Sequence, residues 1–261
     1  MERRLIARGL LAGLMGAVVS FVFARLCAEP IIGRAIAYED GRTAAERAPG
    51  VHEHGADLFT RGVQANAGLG FGVLLFGLAM GALFAVLFCV VFARADNPAP
   101  QSISRLSLLL ASGVFVSVYL VPFLKYPPNP PAVGQADTIG MRTGWYLVAV
   151  LVSVALTIAA VRLARRLSTR VGAWNAGVLA TAAYVVVVAG VYALLPDVAE
   201  TPQPLRDAAG VISYPGFPAD VLYEFRLVSL ATQLLLWVTI GLLFGRLAGR
   251  LLGERASSIT A

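Results

Sequence analysis

The sequence predicts an all-α membrane protein, a bundle of six transmembrane helices with both termini in the cytoplasm. Of its 261 residues, 58% are hydrophobic and 14% are charged, whereas about 25% are charged in ordinary soluble domains. The apolar residues also form six continuous runs close to the roughly 20 residues that a helix needs to cross a bilayer, at about 5–26, 69–92, 106–124, 144–163, 176–195 and 227–248. Continuous runs favour helices, since the strands of a membrane barrel alternate apolar and polar residues.

The distribution of arginine predicts the orientation. If the first terminus is inside, the inner segments carry few acids, namely Glu2, Asp96 and Glu254, and many arginines: Arg3, Arg4, Arg8, Arg94, Arg105, Arg162, Arg165, Arg166, Arg170, Arg246, Arg250 and Arg255. Basic residues favour the cytoplasmic side. The chain is therefore expected to be a single integral domain with outer loops at 27–64, 125–143 and 196–226. Its excess positive charge fits a lipid bilayer and does not require a nucleic acid partner.

The first run has two interpretations. Met1–Arg8 followed by an apolar stretch and Leu26-Cys27-Ala28 is compatible with a cleaved signal peptide. However, Gly9, Gly13 and Gly16 place small residues at the spacing of close helix packing, which a discarded segment would not need. We expect the first span to be retained, and cleavage stays the alternative.

Small residues recur every fourth position on two of the spans. They are Gly77, Gly81 and Ala85 on the second, and Gly241, Gly245, Gly249 and Gly253 on the last. Such rows allow two helix backbones to approach closely. They predict packing faces, either within the bundle or toward a partner.

The second outer loop is expected to be a stiff arm. It begins Lys125-Tyr126-Pro127-Pro128-Asn129-Pro130-Pro131, and proline both lacks a donor and restricts the residue before it. A stiff arm holds polar groups in place at low entropic cost. We expect the polar residues of this loop to be held in fixed positions.

The two histidines of the chain stand together as His52-Glu53-His54 in the first outer loop. Imidazole nitrogens suit divalent first-row metals, and Glu53 and Asp57 supply oxygen ligands nearby. The pattern predicts a metal-capture site made by His52, His54, Glu53 and Asp57. The alternative is an ordinary solvated polar loop, because a closed structural site usually has four ligands at tight spacing.

Several mechanisms lack support in the sequence. No Asp, Glu, Lys or His lies in the middle of a span, where proton relays place such groups. Lys125 is the one lysine and follows no glycine-rich loop, and neither H-E-x-x-H nor G-x-S-x-G occurs. Cys27 falls at the outer end of the first span and Cys89 near the inner end of the second, so most of the bilayer separates them and no disulfide is expected. We therefore expect no enzymatic activity and no tightly bound cofactor.

Several motifs resemble the CbtA family of predicted cobalt transporter subunits, from about residue 5 to residue 252. Near the first outer loop they are Ala28-Glu29-Pro30, Ala37-Tyr38-Glu39 and Arg61-Gly62-Val63-Gln64. The most specific motifs are Val121-Pro122-Phe123-Leu124-Lys125-Tyr126-Pro127, Asn129-Pro130-Pro131-Ala132-Val133-Gly134, Asp137-Thr138-Ile139-Gly140 and Arg142-Thr143. Further matches are Gly172-Ala173-Trp174-Asn175, Phe217-Pro218-Ala219-Asp220, Phe225-Arg226-Leu227, Ser229-Leu230 and Thr232-Gln233.

The resemblance implies a multi-span protein of the bacterial inner membrane that takes up cobalt for cobalamin synthesis. It also implies a partner, a small single-span, histidine-bearing subunit of the CbtB type. Taken with the resemblance, the expected function is capture of Co²⁺ on the outer loops and transfer to the bundle. The residues expected to shape or support the outer mouth are Glu29, Glu39, Lys125, Tyr126, Asn129, Asp137, Arg142, Arg226 and Gln233. The sequence alone does not separate cobalt from nickel or zinc, because selectivity depends on site geometry. A scaffold or assembly partner remains the second hypothesis.

Overall fold

The computed structural model describes residues 2–46, 67–94 and 100–259. These form long helices α1 (Glu2–Glu46), α2 (Leu69–Phe92), α3, α4 (Ala136–Val171), α5 (Ala173–Leu194) and α6 (Ala219–Ile259). Helix α3 comprises Pro100–Val114, a π-helical segment Phe115–Leu120 and a final α-helical turn Val121–Lys125. Each of the six is long and apolar enough to cross a membrane. The predicted class, all-α with six candidate spans, is confirmed; the orientation of the termini stays a prediction.

The helices continue well past the predicted spans. Helix α1 passes through Pro30 and ends only at Glu46, so the first twenty residues of the predicted outer loop 27–64 are helical. Helix α4 likewise begins at Ala136, inside the predicted second loop. The reason is tertiary packing, because Ile31, Ala35 and Tyr38 are buried on the extension of α1. An apolar face with a partner offsets the single backbone hydrogen bond that a proline removes.

Helix α1 packs along both α2 and α6 and forms the centre of the bundle. Its contact with α2 is a close backbone approach. A Cβ on Gly13 would stand 2.8 Å from the Gly81 Cα, and one on Gly77 would stand 2.7 Å from the Gly13 carbonyl oxygen. Real Cβ atoms do not come so close, so only glycine fits these positions of the crossing.

An aromatic cluster fills the space between α2 and α6. Phe244 is fully buried and lies edge-on to Phe84 and Phe88, with ring centroids 5.3 and 5.0 Å away. Helix α3 then packs on the other side of α6. There the Ser107 hydroxyl donates to the Gly241 carbonyl over 2.8 Å, and a Cβ on Gly241 would stand 2.8 Å from that of Ala111. Small residues thus bring both α2 and α3 close to their partner helices.

Helices α4 and α5 form a hairpin at one side of the bundle. The turn is at Gly172, whose φ of 79° is a conformation that favours glycine. The hairpin packs on the rest mainly through the π-helical segment and final turn of α3. Within the hairpin, the hydroxyls of Ser153 and Tyr184 are 2.9 Å apart. Most of its apolar surface is exposed, as expected for a face toward lipid or a partner.

The end of the bundle remote from both termini carries a structured layer, called here the loop layer. It comprises residues 27–46 of α1, the α3–α4 connection, the segment between α5 and α6, and the first turns of α4 and α6. Its apolar centre is formed by Ile31, Ala35, Tyr38, Val133, Phe217 and Val221. A small antiparallel hairpin of β1 (Leu205–Arg206) and β2 (Ile212–Tyr214) lies at its edge. The Tyr38 hydroxyl donates to the Pro215 carbonyl over 3.0 Å.

Candidate site in the loop layer

A buried carboxylate lies at the centre of the polar contacts of the loop layer. Glu200 is 4% exposed. Its Oε1 accepts a hydrogen bond from the Thr138 hydroxyl over 2.6 Å, and its Oε2 accepts one from the Asn129 amide over 3.0 Å. Arg142 Nε lies 3.2 Å from the same Oε2. The negative charge is therefore held by one cation and two neutral donors, which is how buried carboxylates are normally stabilised.

A second guanidinium stands beside this group. Arg226, on the second turn of α6, donates to the Asn129 side-chain oxygen over 3.1 Å. Its Nε is buried and has no hydrogen-bond partner within the described ranges. Arg142 also donates to the Pro127 carbonyl. Asn129 thus bridges Arg226 and Glu200, and the arrangement holds two cations against one carboxylate.

Two further contacts fix the segment after α5 to the end of α3. Lys125 Nζ lies 2.5 Å from the Asp197 carboxylate, and the Tyr126 hydroxyl donates to the Pro196 carbonyl over 2.8 Å. Burial raises the pKa of Tyr126; the Lys125 charge opposes this shift and the Asp197 charge adds to it. The phenol is therefore protonated and able to donate at neutral pH.

The prolines explain why these side chains meet. The chain from Tyr126 to Gln135 has no regular structure, and Ala132 adopts a positive φ of 66°. Because each proline restricts the backbone around it, the path from α3 to α4 is narrowly defined. The segment 195–204 lies alongside that path, where Asp197 and Glu200 meet Lys125 and Asn129.

The loop layer contains two cavities that share this group of residues. The outer one is open and has a volume of about 700 Å³; it is lined by Glu39, Arg42, Glu200 and backbone of the two proline-containing segments. The second, called the inner cavity because its lining extends onto α3 and α4, is similarly open and has a volume of about 210 Å³; it is lined by Tyr119, Phe123, Tyr126, Pro128, Arg142, Thr143 and Tyr146. The Arg142–Glu200 ion pair joins the wall of the outer cavity to the wall of the inner one.

The comparison with known families decides the class of this protein. The model of the family described as "Probable cobalt transporter subunit (CbtA)" matches residues 2–249. The chain belongs to the CbtA family. The match extends from the first turn of α1 into the last turns of α6 and so includes all six helices and the loop layer. No curated protein and no solved structure matches the chain.

The structure of this CbtA chain brings together part of the predicted site. Lys125, Tyr126, Asn129, Arg142 and Arg226 all contribute to the polar contacts of the loop layer. The predicted metal ligands His52, Glu53, His54 and Asp57 lie outside the described residues. Within the described ranges, no group of three or more His, Cys, Asp or Glu side chains is placed to hold a metal ion.

The other predicted residues of the mouth are dispersed. Glu39 lines the outer cavity, and Asp137 is exposed in the first turn of α4. Glu29 and Gln233 are half-buried on α1 and α6. They do not join the contacts around Glu200 that are described above, and a role for them in the outer mouth stays a prediction.

Glu200 itself was not predicted as a site residue, and neither was Asp197. Both belong to a segment with no distinctive motif, and the burial of Glu200 depends on residues distant in sequence. One signal was available. Lys125 and Arg142 are cations on a predicted stiff arm, and a cation that is to be held in place needs a carboxylate. The segment 196–226, which is rich in proline and acidic residues, could supply that carboxylate.

Proposed function

We propose that the chain is the multi-span membrane subunit of a cobalt uptake transporter in the bacterial inner membrane. Membership of a family of probable cobalt transporter subunits, over nearly the whole chain, is the observation that carries this proposal. The six apolar helices support it, because they provide a membrane domain for an ion to cross. Cobalt is the transported substrate in this proposal and not a resident cofactor.

Capture is assigned to the segment between α1 and α2. His52 and His54 offer imidazole nitrogens, and Glu53 and Asp57 offer carboxylates, a mixture that suits Co²⁺ and neighbouring divalent metals. This segment follows Glu46, the end of the helix whose residues Glu39 and Arg42 line the outer cavity. We propose that an ion released from the histidine segment passes into the outer cavity.

The Arg142–Glu200 pair is proposed as the barrier beneath that cavity. Arg142 occupies the carboxylate that a cation would otherwise approach, and Arg226 adds a second repulsive charge. A divalent ion that displaces Arg142 from Glu200 would gain a carboxylate ligand and open contact with the inner, tyrosine-lined cavity. The barrier would thus respond to the ion that it admits.

The family description also implies a partner subunit. We propose a small single-span membrane protein that bears histidines and assists capture at the outer face. In this scheme the chain has no enzymatic role. A non-transporting membrane scaffold is the competing function, and it predicts that the histidine pair can be replaced without effect on the cell's cobalt content.

The test is radiolabelled cobalt accumulation in the native host, in which any partner subunit is present, after deletion of the gene and complementation. The wild type is compared with His52→Ala/His54→Ala and with Val51→Ala as a neighbouring control, at matched membrane expression. Uptake that returns with the wild type and the control but falls with the histidine variant supports capture on this segment. Equal uptake with both variants contradicts the capture site. No restoration by any version favours the scaffold.

A further inference from the structure

An apolar groove runs between α4 and α5, far from the loop layer. It has a volume of about 400 Å³ and is open to the surroundings of the bundle. Small side chains, among them Ala159, Ala180 and Ala183, line it and leave room between the two helices. At the end nearer the Gly172 turn, Arg162 and Arg166 complete the lining. The groove therefore combines an apolar channel with two cations at one end.

The two arginines lie on one face of α4, because residues four apart on a helix are neighbours. Both are exposed. Neither is paired with a carboxylate in the part of the chain that the structure describes. Like charges one turn apart on a helix repel each other and destabilise it. An anion between them would remove this repulsion.

The position of Trp174 and the length of the groove along α4 indicate how deep in the bilayer the groove would lie. Trp174, 82% exposed, stands in the first turn of α5 at the same end of the hairpin, and tryptophan favours the interface between membrane and water. From Arg166 to Leu156 at the far end of the groove, ten residues of helix rise about 15 Å. That is half of a hydrocarbon core of about 30 Å. The groove with its two arginines is therefore about as long as one leaflet of the hydrocarbon core is thick.

We propose that this groove binds one anionic phospholipid, with an acyl chain along the alanines and the phosphate between Arg162 and Arg166. The two halves of the site match the two halves of such a molecule. The apolar part of the groove, from Leu163 to Leu156, rises about 10 Å and fits part of an acyl chain. The unpaired cations lie at the end where long arginine side chains reach the headgroups. Basic pockets between transmembrane helices are a known form of lipid headgroup site.

The test measures lipid binding to the purified full-length chain, by native mass spectrometry and by the shift in thermal unfolding midpoint. Phosphatidylglycerol and phosphatidylcholine with identical acyl chains are the probes, at physiological salt. We expect phosphatidylglycerol to bind about tenfold or more tightly than phosphatidylcholine. Arg162→Gln/Arg166→Gln should abolish the preference. Ala183→Leu, which fills the channel, should weaken binding of both lipids.

The matched control is Arg246→Gln/Arg250→Gln, a second pair of exposed arginines four residues apart, on α6. An equal loss of preference in this control would overturn the proposal, since the effect would then be general surface charge. Binding of glycerol phosphate as tight as that of the whole lipid would also overturn it, because the groove would contribute nothing. The proposal would also be overturned if the Ala183→Leu protein kept its lipid affinity but lost a small membrane subunit that co-purifies with the wild type. The groove would then be a helix-docking site.

Discussion

Arg142 Nε lies 3.2 Å from Oε2 of Glu200, and the two side chains come from different walls, Glu200 from the outer cavity and Arg142 from the inner one. The side chain of Glu200 is 2% exposed and that of Arg142 is 23% exposed. The pair is therefore mostly removed from water. A substitution that breaks this ion pair should therefore change the stability of the protein, whatever the pair does in transport.

Replacement of Arg142 by glutamine should destabilise the protein by about 3 kcal/mol, since loss of one partner leaves a buried charge uncompensated. Asn129 and Thr138 remain as neutral donors to Glu200 and prevent a larger effect. The measurement is reversible unfolding in mixed detergent micelles. Lys125→Gln is the control and should change stability little, because its partner Asp197 is 93% exposed. Equal stability of Arg142→Gln and wild type would show that the pair contributes nothing to folding.

Glu200→Gln should lower cobalt uptake by more than the accompanying loss of protein from the membrane explains. The amide keeps the shape of the side chain but offers no charge to a divalent ion. Only one of its two terminal atoms can still accept a hydrogen bond, so stability falls as well. A contact with a charged group is worth about 1.5–3 kcal/mol, so uptake at limiting cobalt should fall roughly ten- to hundredfold. Uptake and membrane abundance are measured on the same cells. Unchanged uptake would remove Glu200 from the proposed path and leave capture on the histidine segment untouched.

Gly13→Ala should destabilise the bundle strongly, because the new Cβ would overlap the Gly77 carbonyl and stand 2.8 Å from the Gly81 Cα. Both obstacles are backbone, so α1 and α2 must separate. Overpacking typically costs about 1–3 kcal/mol. The control is Gly190→Ala on α5, where a Cβ would meet nothing within 4 Å. That change should be neutral or stabilise by up to about 1 kcal/mol through helix propensity. Equal responses would argue against the close crossing.

Stability should fall at alkaline pH in part through Tyr126. Burial raises the pKa of this phenol in the folded protein, whereas the unfolded value is about 10. The folded state therefore holds the proton more tightly, and this contribution is complete below about pH 10 and is lost as pH rises through the folded value. Tyr126→Phe, which also loses the hydrogen bond to Pro196, should show a shallower alkaline decline. Parallel pH profiles for the two proteins would contradict the burial of this hydroxyl.

The sequence was sufficient for the number of helices but not for their lengths. An apolar run marks the part of a helix that faces lipid or the protein core, and the sequence contains six such runs. The continuation of α1 past Pro30 depends on contact of Ala35 and Tyr38 with Val133, Phe217 and Val221, which come from remote parts of the chain. Hydropathy falls there while burial continues, so a span-based prediction ends the helix too early. The π-helical segment Phe115–Leu120 has no composition that distinguishes it from the α-helix around it.

The candidate site was predictable where residues stood on a constrained backbone. Lys125, Tyr126, Asn129 and Arg142 lie on or next to a proline-rich segment, and local rigidity is visible in sequence. Glu200 was not, because nothing next to it indicates that Asn129, Thr138 and Arg142 will surround it. The burial of a polar group depends on long-range packing, and a single sequence without its fold does not report that packing.

The central position of α1 sets the order in which the protein can assemble. Its partners are α2, the next helix in the chain, and α6, the last of the six described. Ser20 on α1 donates to the Thr232 carbonyl on α6 over 3.1 Å. During synthesis the α1–α2 pair therefore lies in the bilayer without α6, and the face of α1 that packs on α6 stays uncovered. The α4–α5 hairpin can form its own local contacts in the meantime. The native core closes only after translation reaches α6. Chains that stop before α6 would leave that face of α1 exposed and should become substrates for membrane quality-control proteases.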